Sequence, residues 1–175
     1  GATRGGGGAG AARGDGESGR LKANDKKRVY AVGGETCASA ASYSGSARDK
    51  IFVDKASIGG SIGGLMDGFG FTGLMDKLGV ERRLLTAGEN KGFLDPFSPI
   101  SAAQREYAQK MLGEIHQQFI DVVRKGRGKR LKEGHDTYSG VVWTGQREIK
   151  LGLADALGSG VFFARAGATA ANTVG

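Results

Sequence analysis

Among the 175 residues, the side chains best placed for chemistry are serines, lysines and carboxylates. Cys37-Ala38-Ser39-Ala40-Ala41 sets one serine among small residues, shortly after an apolar run and the Gly33-Gly34 pair. A serine at such a strand-to-helix junction suits a nucleophile, because first-turn backbone N–H groups lack intrahelical acceptors and can stabilise an oxyanion. The same place also suits a helix-capping serine whose hydroxyl serves only the backbone. As a nucleophile, Ser39 needs a base. His116 follows Ile115 in a long amphipathic segment and reads as a partly buried structural residue, while His135 lies in a polar loop and reads as solvated. A lysine stripped of water can lose its charge and accept a serine proton. Lys91, in Thr86-Ala-Gly-Glu-Asn-Lys-Gly-Phe-Leu-Asp95, is the candidate, with an ordinary surface lysine as its other reading. Cys37 reads as a small buried hydrophobe rather than a nucleophile.

Composition narrows the rest. A single cysteine excludes an internal disulfide framework and a multi-cysteine zinc site, and two histidines leave little for a histidine-based metal centre. No metal or cofactor is therefore expected. Glycine makes up 33 of the 175 residues, well above the roughly 7% that is ordinary. Much of it lies in residues 1–19, which hold no large apolar side chain and read as an irregular segment. The Gly-Gly-Gly-Gly-Ala-Gly run there lacks the Gly-Lys-Ser/Thr ending of a phosphate loop. Residues 20–158 form the expected globular domain, and 159–175 a small, polar tail. The sequence contains neither an apolar run of the ~18 residues a membrane helix needs nor a secretory h-region.

Elements that would position these side chains follow from periodicity. Val29–Val32 and Ile51–Val53 read as short buried strands, Val80–Thr86 as a third, and Ala38–Ala47 as a helix of small residues. Ser57–Gly64 is an imperfect tetrapeptide repeat. Leu65–Leu78 has a helical apolar spacing weakened by three interior glycines, and Lys91–Pro99 reads as a loop. Ser101 and Gln104 make a capping-box pattern. It opens a helix with Tyr107, Met111, Leu112, Ile115, Phe119, Val122 and Val123 on one face, expected to stop at Gly126. A second amphipathic helix is expected over Gln146–Leu157. Strands alternating with helices make the chain α/β. The net charge of +7 is concentrated in the basic run Arg124–Lys132. Its position at a helix C-terminus and its lack of interleaved aromatics point to a solvated or headgroup-facing surface, not specific nucleic-acid binding.

Three stretches together carry a family likeness. Arg20–Val32 with Cys37-Ala-Ser39, Asp49–Ile58 with Gly60-Ser-Ile-Gly63, and Leu65–Met75 with Leu84–Pro99 resemble the signal peptide peptidase A (protease IV) family, most of all its shorter SohB-like bacterial members. The resemblance spans about residues 20 to 158 and is densest from Asp49 to Pro99. It implies a ClpP/crotonase-like spiral fold, incomplete at the N-terminus, and a serine endopeptidase working through a Ser-Lys dyad and an acyl-enzyme. Carried over, Ser39 matches the nucleophile, Lys91 the general base, and Ser61 a serine that orients the lysine. The oxyanion donors would be the N–H of Ala40 and that of Gly6, in Thr3-Arg4-Gly5-Gly6. The resemblance further implies hydrophobic peptide substrates such as signal-peptide remnants, and a homo-oligomeric ring or dome. It places the family at the periplasmic face of the bacterial inner membrane, through an anchor expected to be absent from these residues. Ala40-Ala41 stand where the family has Gly-Gly, and Ser42, Ser44 and Ser46 where it has larger apolar residues. Those departures sustain a second expectation, a peptidase-fold scaffold or oligomerisation subunit with impaired catalysis.

Overall fold

Short apolar runs and nearby glycine turns give short strands that find partners far along the chain. The computed structural model describes residues 30–46 and 48–159. Strands β1 (Tyr30–Gly33), β3 (Lys50–Val53) and β6 (Ala156–Leu157) form a parallel sheet in the order β1-β3-β6. A second sheet has the order β2-β4-β5, with β2 (Thr36–Ala38) parallel to β4 (Ile58–Gly60) and β5 (Val142–Thr144) antiparallel to it. The helices are α1 (Ala40–Ser46), α2 (Thr72–Leu78), α3 (Ala102–Arg127) and α4 (Gly145–Leu151). The α/β class expected from sequence is what the structure shows.

The described chain divides into two compact units. One takes in the segments up to Gly63 and from His116 onward, and holds both sheets. Its core has two clusters. Ile62, Phe119, Val123 and Leu153 form one, backed by Trp143 and Tyr138, and Ile51, Val53 and Ala154 form the other. Ser57 ties the two sheets together: its buried hydroxyl donates to the Gly34 carbonyl at 2.6 Å and accepts from the Asp54 N–H at 2.9 Å. The second unit, Gly64–Ile115, contains α2, the loop around Lys91 and the first half of α3. None of its residues is buried, and Leu85 is 95% exposed.

Several local expectations hold and several change. The capping box forms as a reciprocal pair, Ser101 N–H to Gln104 Oε1 and Gln104 N–H to Ser101 Oγ, both at 3.1 Å. Helix α3 runs past Gly126 to Arg127 because Arg127 is anchored there: its Nε donates to the Gly152 carbonyl at 2.7 Å. Residues 80–86 form no strand. Their unit has no strand edge among its described residues to pair with, and Val80, Leu84 and Leu85 stay exposed. Only Thr72–Leu78 of the 65–78 segment is helical, since each interior glycine costs about 1 kcal/mol against alanine. Helix α4 ends at Leu151 rather than 157. Gly152 takes φ +75 as its cap, and a Cβ there would run into the Arg130 carbonyl. The chain then turns to pair β6 with β3.

The basic run is largely consumed by structure. Arg127, 1% exposed, binds Asp155 at 2.9 Å, Arg130 binds the other Asp155 oxygen at 3.1 Å, and Arg124 binds Glu133 at 2.8 Å. Asp155 also accepts the Ile51 N–H at 2.7 Å, so one carboxylate joins α3 to the edge of β3. Burial works against ionisation of Asp155, yet these donors hold its carboxyl below the ordinary range. Removing one partner of a buried pair leaves a charge without compensation, whereas an exposed pair contributes little. Asp155→Ala is expected to cost roughly 3–5 kcal/mol in urea denaturation, and Glu133→Ala less than about 1 kcal/mol. Equal losses would contradict this assignment.

Candidate active site

Ser39 stands between β2 and α1, the strand-turn-helix setting that exposes a hydroxyl. Its backbone is left-handed, φ 53, which a non-glycine residue adopts only when its surroundings enforce it. The enforcement is visible: the Ser39 N–H donates to the Gly60 carbonyl at 2.9 Å, extending the β2-β4 ladder one step beyond Ala38 and Gly60. Ser39 itself is exposed. Ala40 opens α1, so its N–H belongs to the first helical turn and has no acceptor within the helix.

Ser61 emerges from the neighbouring strand at the matching position. It too is left-handed, φ 52, and its N–H donates to the Val141 carbonyl at 2.9 Å. Gly60 before it has φ +79, and a Cβ there would press on the Trp143 ring. Two adjacent strands therefore end together, each delivering a serine in a constrained conformation. Such backbone strain gathers where geometry serves function.

Two residues that the sequence did not assign to the site shape this turn. Ser42, from α1, is in hydrogen-bond reach of the Cys37 carbonyl at 2.7 Å and the Gly60 carbonyl at 3.1 Å. Where the family has a larger apolar residue, one hydroxyl hydrogen here serves the Cys37 carbonyl, with that of Gly60 as a longer alternative. Glu148, from α4, is 5% exposed, and its carboxyl group lies against the backbone of β4. A methyl group at Gly59 would collide with that carboxyl group, so the glycine is what admits it. Glu148 Oε2 has no hydrogen-bond partner among the described residues. Burial pushes the Glu148 carboxyl up to about 7, against the opposing pull of the Gly60 backbone and the Arg127 charge. Burial, with the Glu148 charge adding to it, also raises the Cys37 thiol, which keeps it protonated and a poor nucleophile. The only sequence signal for Glu148 was a charge three residues after a glycine on one helical face.

Lys91 lies in the other unit and is exposed. Consecutive turns order its loop: the Lys91, Phe93 and Asp95 N–H groups each donate three residues back, at 3.1 Å. Asp95 accepts Ser98 Oγ at 2.7 Å, and Phe93 meets Tyr107 edge-on at 5.5 Å. His116 bonds the Ile62 carbonyl at 3.1 Å, a structural role as expected, and His135 is exposed beside Asp136. Gly6 lies outside the described residues. Among the described residues no three of His, Cys, Asp or Glu are grouped to hold a metal ion, and no helix is long and apolar enough to cross a membrane.

A mixed α/β domain thus brings two constrained serines to adjoining strand ends. Peptidase family S49 matches residues 22–171, and the chain belongs to that family. It is 42% identical over 145 residues to a protein of Brucella melitensis named Na(+)/H(+) antiporter NhaA, covering 83% of this chain and 20% of that protein. It is 35% identical to "Putative protease MJ0651" of Methanocaldococcus jannaschii, over 63% of this chain and 36% of the relative. A protein of Enterococcus faecium named "Putative signal peptide peptidase SppA" is 29% identical, over 74% and 38%. The chain thus spans less than two fifths of each of these relatives' lengths.

The buried Glu148 makes stability depend on pH. Its folded value lies above the ordinary 4.5, so between about 4.5 and 7 the unfolded chain releases a proton that the folded chain keeps. Stability is expected to fall as pH rises through that window, by up to roughly 3 kcal/mol, and then level off. Glu148→Gln should flatten the slope and raise the denaturation midpoint at alkaline pH. An unchanged slope would contradict the burial of this charge.

Proposed function

We propose that residues 20–158 are the catalytic domain of a serine endopeptidase that cleaves peptides through a Ser39–Lys91 dyad. The observation that carries this reading is the left-handed Ser39 at the β2–α1 turn, with its N–H on Gly60. Uncharged Lys91 takes the Ser39 hydroxyl proton as Oγ bonds to the substrate carbonyl carbon. The resulting oxyanion rests on the Ala40 N–H and that of Gly6, while Ser61 orients the lysine amine. The tetrahedral intermediate expels the amine, which receives the proton from Lys91 and leaves an acyl-enzyme. Water then attacks, giving a proton to Lys91 and the acyl group as a carboxylic acid, and Ser39 regains its hydrogen. Hydrophobic peptides such as signal-peptide remnants are the proposed substrates. No cofactor enters these steps.

In this reading the chain adopts a ClpP/crotonase-like spiral, is closest to SohB-like members, and acts at the periplasmic face of a bacterial inner membrane. Assembly into a homo-oligomer is part of it. Support comes from the Gly64–Ile115 unit, whose Leu65, Phe69 and Leu85 are left exposed, as surfaces that meet partners are. Association between copies would also remove water from an exposed Lys91. That exposure, with Ala40-Ala41 in place of Gly-Gly, favours a second reading: a scaffold subunit with the fold but little turnover.

The two readings separate in a hydrolysis assay with a hydrophobic peptide. Ser39→Ala and Lys91→Ala are each expected to lower turnover roughly 1,000-fold or more, while Cys37→Ala keeps most of it. Loss on Cys37→Ala with retention on Ser39→Ala would overturn the dyad. No turnover by the folded, assembled wild-type chain would favour the scaffold.

A further inference from the structure

We propose that the cavity beneath α1 is a binding site for a single water molecule, held on Glu148 Oε2. The inference stands on geometry and is independent of the serine–lysine reading. Glu148 is 5% exposed, and its Oε2 has no hydrogen-bond partner among the described residues. A buried carboxyl oxygen left without a donor is unfavourable, and native structures settle such atoms with a protein group or an ordered water. Glu148 borders a cavity of about 20 Å³. Roughly 10–15 Å³ is enough to hold one water. The space is there because α1 turns only small side chains towards it, those of Ala41, Ser42 and Ser46, with Gly45 between them.

The polar groups around this space suit water. The Ser42 hydroxyl gives its hydrogen to the Cys37 carbonyl at 2.7 Å, and buried Ser46 gives its own to the Ser42 carbonyl at 2.7 Å. A hydroxyl oxygen also carries two lone pairs, so each serine retains the capacity to accept. The water donates one hydrogen to Glu148 Oε2 and the other to a serine Oγ. It accepts from the thiol of Cys37, a weak donor that lines the same cavity. Three bonds are the usual complement of a buried water. An ion fits less well. It would exchange its hydration shell for walls made of Ile51, Val53, Ile62, Val123 and Leu153. Burying an isolated charge among such groups is far less favourable than burying a neutral molecule whose bonds are made.

A crystal structure of the full chain that resolves buried waters tests this directly. Density for one water is expected within about 3 Å of Glu148 Oε2. In solution, a slowly exchanging water should give NOE cross-peaks to the methyl groups of Ile62 and Val123, which line the cavity. Glu148→Met puts an apolar group of similar length in place of the orphaned oxygen, and both signals should be lost. Gly45→Ala narrows the same space without disturbing α1, because its methyl group would meet nothing nearer than Ala31 and Ile51, each at 3.9 Å. The cross-peaks should be lost there too. No density at Oε2 where other buried waters are seen would overturn the proposal. So would cross-peaks that persist in Glu148→Met, since they would then come from the serine hydroxyls. Should that variant fail to fold, the wild-type density and Gly45→Ala decide, and cross-peaks unchanged by the added methyl group would contradict the site.

Discussion

The carbonyl of Gly60 is the point on which the candidate site depends. It receives the Ser39 N–H and lies in reach of the Ser42 hydroxyl, so the end of β2, the start of α1 and the end of β4 meet on one oxygen. The requirements stack up around it. Gly59 must lack a side chain to admit Glu148, and Gly60 must adopt a positive φ above the Trp143 ring. Ser61 follows with its own N–H held by Val141. A larger residue at either glycine would disturb two strands and both serines at once.

Buried charge is the second organising element, and its two instances have opposite signs for stability. Asp155 is surrounded by Arg127, Arg130 and the Ile51 N–H, so its ionised form fastens α3 to β3. For Glu148 the pull of the Gly60 backbone and of the Arg127 charge does not offset its loss of water. Its ionised form weakens the fold. Stability is given up at the place where two serines must be kept in a strained conformation, a trade common at functional sites.

Much of the scaffold was legible in the sequence, because its signals are local. The apolar residues of β1 and β3 and the Ser101/Gln104 cap announce themselves within a few residues. The small-residue segment after Ser39 also forms its helix, as α1. What was not legible depends on distant partners. Thr36–Ala38 carries little strand signal of its own, and it becomes β2 only by pairing with β4. Val80–Thr86 has the composition of a strand but pairs with no strand among the described residues. The apolar pattern of 146–157 runs on past Gly152, where a close approach to Arg130 ends the helix. Ser39 and Ser61 could be singled out from their neighbours and the family likeness. Glu148 could not, since nothing in its neighbourhood says that it will lie against Gly59.

The most direct test of the account is labelling with an active-site serine probe, followed by mass-spectrometric mapping, on the assembled chain and on Lys91→Ala. The account predicts a single modification on Ser39 that disappears when Lys91 is removed. Modification of another residue, labelling of Ser39 that persists without Lys91, or no labelling of a folded and assembled sample would contradict it.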